Sequence, residues 1–188
     1  MSTFDDADDW DAVLAGDGEA FGRVFDRHRD AVRRSVRRLV AQEADAEDVL
    51  AVVFLEAWRR RAAVRLVDDS VRPWLLVTAL HAAQNVRRSA RRYRALLDRL
   101  PPVEDAPDHA DLIDDGRVSG AFRRLSPADQ RILTLCVLED LSERQASEAL
   151  DVPVGTVKSR LSRAKARLAR ALPGDLSYSP AEEASHGL

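Results

Sequence analysis

Between Asp151 and Leu168 the chain reads DVPVGTVKSRLSRAKARL, with Lys158, Arg160, Arg163, Lys165 and Arg167 and no acid after Asp151. The whole protein of 188 residues has a formal net charge of −3, so this density of cations is local. Guanidinium and ammonium groups in series bind anions; Arg and Lys donate to phosphate oxygens and to guanine O6 and N7, and Ser and Thr hydroxyls meet bases or phosphates. Val157, Leu161, Ala164 and Leu168 recur at helical spacing and turn one face inward. Thr156, Ser159, Arg160, Arg163 and Arg167 are then left on the opposite face, with Lys158 and Ser162 beside them. Gly155 removes a side chain where a backbone or a phosphate comes close.

Such a helix has to be held by something. Upstream, Ser126-Pro127 with Asp129 forms a helix start, and Ser142 with Gln145 matches a capping box. The spacing predicts a helix over 127–138, a tight corner at Glu139-Asp140, a helix over 142–150, a turn at Asp151-Val152 and a helix from about 153 to 171. Two short helices joined by a tight turn, the second of them basic, form a helix-turn-helix, whose second helix enters the DNA major groove.

The N-terminal half shows the same helical periodicity. Phe21, Val24, Phe25, His28, Val32, Val36 and Leu39 recur at steps of three and four. EADAEDVLAVVFLEAWRRR starts acidic and ends basic, the polarity that suits a helix dipole. Its apolar face runs through Val49, Val53 and Ala57 and through Leu50, Phe54 and Trp58. After a loop, VRLVDDSV, a long helical run opens at Pro73 and continues unbroken to Pro101. Trp74, at its start, reads as a core anchor, and Arg87, Arg88, Arg91, Arg92 and Arg94 form a cationic cluster suited to phosphate. PPVEDAPDHADLIDDGR, residues 101–117, holds three prolines and six acids against one arginine and is read as a linker. The expectation is an all-α chain of two small helical domains joined by a flexible acidic linker: 15–100, the linker 101–117, 118–172, and a frayed tail over 173–188.

The segment LSERQASEALDVPVGTVKSRLSRAKARL resembles region 4.2 of bacterial RNA polymerase sigma factors of the sigma-70 class, in particular the extracytoplasmic-function group. The resemblance implies that Lys158, Ser159, Ser162 and Arg163 read the promoter −35 element, with Thr156 and Arg160 on phosphates. AEDVLAVVFLEAW is similar to sigma region 2.2, which implies a grip on the polymerase β′ clamp through Asp48, Val49, Leu50, Val53 and Phe54. Ala51 and Val52 stand where the family has glutamine and glutamate. RPWLLVTALHAAQNVRRSARR is similar to regions 2.3 and 2.4, where Trp74, His81, Asn85 and Arg88 occupy −10 positions. His81 replaces the family's asparagine and Asn85 its aspartate, so an atypical −10 preference is implied. The implied partners are core RNA polymerase (β′ clamp and β flap), promoter DNA and an anti-sigma factor, and the acidic linker would lie along the polymerase's RNA path.

The remaining residues exclude other classes. Cys136 is the single cysteine, His28, His81, His109 and His186 are scattered, and no nucleophile–base pair or phosphate loop occurs, so neither catalysis nor a metal or cofactor is expected. The acidic N-terminus is no secretory leader, and no run approaches a membrane span, which leads to the expectation of a cytoplasmic protein, held at the membrane only by an anti-sigma partner. The alternative is a stand-alone helix-turn-helix regulator with an N-terminal dimerisation or sensing domain. AEDV…F…W and PWL ahead of an acidic linker argue against it.

Overall fold

A computed structural model describes residues 6–97 and 116–172. The acidic run 101–115 and the tail 173–188 lie outside the described residues. Among the described residues there are eight α-helices and no strand. They are α1 (Asp6–Leu14), α2 (Gly18–Arg37), α3 (Glu43–Arg59) and α4 (Arg72–Leu97) in the first body, then α5 (Gly116–Arg124), α6 (Pro127–Leu133), α7 (Glu143–Leu150) and α8 (Val154–Ala171) in the second.

The first body packs α2, α3 and α4 on their apolar stripes. Val24, Val32, Val36, Val49, Val53, Phe54, Leu75, Leu76, Ala79 and Leu80 are all buried. At one end an aromatic cluster forms, with Phe21 edge-on to Phe54 and Trp58 at centroid distances of 6.2 and 5.2 Å and Phe25 edge-on to Phe54 at 4.7 Å. Asp17 caps α2 by accepting from the backbone N–H groups of Glu19 and Ala20. Arg33 and Arg37 reach across to Glu43 at the start of α3.

Helix α1 lies ahead of the first helical domain as the sequence expectation bounds it, at residue 15, in a stretch read only as an acidic N-terminus. Trp10 and Val13 are fully buried against the first body, and two of the acids are buried with them. The Asp6 carboxylate accepts from His28 Nε2 at 2.8 Å, from Arg27 at 2.5 Å, from Ser70 Oγ at 2.7 Å and from the Val71 N–H at 3.1 Å. Asp9 pairs with Arg23 and Arg27. Burial alone would raise the Asp6 pKa, but the hydrogen bonds from His28, Ser70 and Arg27 outweigh it and hold the carboxyl well below the usual carboxylate range. Because an acidic run is ordinarily a solvated one, this role was not visible in the composition.

In the second body the expected helix over 127–138 is α6 followed by a π-turn, Thr134–Leu138, in which the Glu139 N–H bonds back to the Thr134 carbonyl. The extra residue in that turn, with Asp140 at φ 53°, carries Glu139 inward instead of leaving it at a solvent corner. The capping box forms as the spacing implied: Gln145 N–H donates to Ser142 Oγ, and the Ser142 N–H donates to Gln145 Oε1. Asp151 takes the left-handed conformation at φ 53° that ends α7 and starts the turn.

Candidate nucleic-acid interface

Helix α8 is anchored on one side and bare on the other. Val157, Leu161 and Ala164 are buried against α6 and α7, and Leu168 is half-buried. Lys158, Ser159, Arg160, Ser162 and Arg163 are exposed, and Thr156 is half-buried at the first turn. Arg167 does not join that face: it reaches back to the buried Asp129 of α6 at 2.7 Å and ties the two helices together. Arg163 folds over its own helix, donating to the Ser159 carbonyl at 3.1 Å. A Cβ at Gly155 would meet nothing within 4 Å, so no contact inside the chain requires a glycine there. Burial and the neighbouring Arg160 lower the pKa of Arg131 on α6. Like charges thus stand together at the edge of α8, an arrangement that an anion relieves.

Helix α4 carries the second set. Trp74 is half-buried and packed on the core, whereas His81, Asn85 and Arg88 are exposed. Although its side chain reaches solvent, partial desolvation of the ring, with Arg131 nearby, lowers the His81 pKa and favours the neutral imidazole. Between these positions, Gln84 donates to the Pro127 carbonyl at 3.1 Å, and Arg87 donates to Gln130 Oε1 at 2.7 Å and to the Arg123 carbonyl at 3.0 Å. The second body therefore lies along α4.

On α3 the structure brings only part of the expected set to the surface. Asp48 is exposed, but Val49, Leu50, Val53 and Phe54 are 2%, 8%, 0% and 4% exposed and fill the body's own core. Their side chains cannot meet a partner on a folded surface; they fix the rotation of the helix. The outer strip of α3 carries Asp48 and Ala51 together with Val52 and Leu55, which are 48% and 55% exposed. Leu55 was missed because a leucine one step from buried Phe54 reads as core.

Residues 24–93 match the sequence model of Sigma-70 region 2, and residues 116–168 match that of Sigma-70, region 4. The ECF RNA polymerase sigma factor SigM of Mycobacterium tuberculosis is 34% identical over 163 residues, covering 86% of this chain and 81% of that protein. The chain belongs to the ECF sigma factors of RNA polymerase. The ECF sigma factor BldN of Streptomyces coelicolor is 31% identical over 169 residues, which is 86% of this chain but 63% of that longer protein. The structure of CnrH in complex with the cytosolic domain of CnrY has the same fold, with a TM-score of 0.66 at 24% identity over 89% of this chain and 96% of that one. In this sigma factor region 2 is built on α2–α4 and region 4 on α5–α8; α1 precedes the region 2 match. The stand-alone regulator is not favoured, because region 2 has no place in it. No described helix is long and apolar enough to cross a membrane.

Proposed function

We propose that this sigma factor directs core RNA polymerase to promoters through three surfaces and assists strand opening. Region 4 meets the −35 duplex with α8: Lys158, Ser159, Ser162 and Arg163 at base edges, Thr156 and Arg160 at phosphates. Region 2 meets the −10 element with the stretch of α4 that carries Trp74, His81, Asn85 and Arg88, and it docks on the β′ clamp with the outer strip of α3. The observation that carries the reading is α8 itself, with Val157, Leu161 and Ala164 buried inside the chain and a cationic face, free of acids, left to solvent. In this role the protein is an initiation factor that works where core polymerase is, in the cytoplasm. Its other partner is an anti-sigma factor, the kind of complex in which NepR is found with RpoE of Bartonella quintana.

The test is to add the purified protein to bacterial core polymerase on fragmented genomic DNA and to sequence the transcripts. Discrete starts that share two upstream elements, and that vanish without the protein, are the expected result. Sequence-specific DNA binding by the protein alone, with no association with core, would overturn it.

A further inference from the structure

Across the boundary between the two bodies lies one buried acid, Glu139, 3% exposed. Three groups of region 2 hold it: Ser35 Oγ donates to Oε1 at 2.5 Å, Arg38 Nη1 donates to Oε1 at 3.1 Å and Arg72 Nη2 donates to Oε2 at 2.8 Å. A second tie lies nearby, where Arg144 and Gln145 of α7 donate to Asp68 of the loop before α4. Both oxygens of Glu139 are thus satisfied by donors that region 4 does not own, Ser35 being 104 residues away in sequence. A carboxylate is stable out of water only where such partners replace its hydration, so the contact exists only while the chain is closed.

The seat suits more than a carboxylate. Two guanidinium groups and a hydroxyl converging on two oxygens are also the donors a phosphate needs. Arg72 is the first residue of α4, two positions before Trp74. Arg38 also lines an adjoining cavity of about 250 Å³, together with Arg34, Arg37, Arg123 and Glu43, the last paired with Arg37.

We propose that Ser35, Arg38 and Arg72 form a backbone-phosphate site for the single-stranded DNA of an opened promoter, and that Glu139 of region 4 occupies this site in the free chain, so that closure and DNA engagement exclude one another. The proposal rests on the sigma-factor reading and adds a competition to it. In the free protein region 4 supplies its own anion; when the two regions part, the same donors turn to DNA and Glu139 returns to water. An acidic protein segment is the competing occupant of the seat.

The experiment compares the full chain with Glu139→Gln, Glu139→Gln/Arg72→Gln and Asp140→Asn, the last making the same change in net charge at the exposed neighbouring residue. Small-angle X-ray scattering reads closure, and fluorescence anisotropy reads binding of a short oligothymidylate and of a polyglutamate peptide. The expected result is that Glu139→Gln expands the chain and binds oligothymidylate about tenfold more tightly than wild type, that Arg72→Gln removes the gain, and that Asp140→Asn does neither. No expansion, a gain that survives Arg72→Gln, an equal gain in Asp140→Asn, or a gain for polyglutamate alone would each overturn it. Should Glu139→Gln fail to fold by circular dichroism, Glu139→Asp, one methylene too short for the seat, makes the same comparison. Transcription by wild type with core polymerase is run in parallel: its absence would count against the sigma reading, while its presence beside an unresponsive seat would count against the competition alone.

Discussion

At the residue scale, the same side-chain type does opposite work in different places. Arg163 and Arg167 stand one helical turn apart, yet Arg167 is bound to Asp129 inside the chain while Arg163 touches only its own helix and is available to DNA. Arg163→Ala is therefore expected to cost about 1–3 kcal/mol of discrimination at one −35 position and nothing in folding; transcription from promoters mutated singly across that element measures it. Asp6 has the opposite profile. Asp6→Asn leaves His28 facing a neutral group while Arg27 keeps its pair with Asp9, and is expected to destabilise region 2 by about 3 kcal/mol, read by urea unfolding, although position 6 lies ahead of the residues that match region 2. Of the two, only the first was legible: a cation at helical spacing from an apolar stripe declares its face, whereas a buried aspartate looks like any other acid in an acidic run.

At the scale of elements, the positions of α2, α3, α4, α7 and α8 followed from local signals because capping and periodicity act within a few residues. The capping box at Ser142 and the turn at Asp151 needed no tertiary information. The face each helix turns outward was harder. On α3 the apolar run is nearly continuous, so periodicity could not separate buried Val53 and Phe54 from exposed Val52 and Leu55. That separation carries a prediction. Leu55→Glu is expected to change folding stability by no more than about 0.5 kcal/mol while weakening binding to core polymerase at least about tenfold; a pull-down titration against core, with thermal unfolding as control, checks both. The exposure of Val52 and Leu55 could not be read from hydrophobicity, since both are as apolar as their buried neighbours.

At the scale of the whole molecule, the closed arrangement was not legible at all. Its contacts join residues far apart in sequence, Arg38 and Arg72 with Glu139, Asp68 with Arg144, Arg87 with Gln130, and none of them belongs to a local pattern. Closure also creates a pH dependence. His81 has its pKa lowered below the ordinary 6.5 by partial desolvation of its ring and by Arg131 of the other body; the Arg131 contribution exists only in the closed form, which on that account binds fewer protons than the open one between the lowered value and about 6.5. The contribution of His81 to closure is therefore expected to be full above about pH 6.5 and to weaken as the pH falls through that window. Scattering profiles across it should show expansion on acidification, and His81→Gln should flatten the response.

The π-turn at Thr134–Leu138 gives chain length a meaning that side-chain identity lacks. Removing one residue there would restore ordinary helical bonding and rotate Glu139 by about 100° about the axis, withdrawing it from Ser35, Arg38 and Arg72 without altering a single charge. Relatives that differ by one residue at this bend would then differ in how readily the two halves part, and an alignment gap here would mark a shift in that balance.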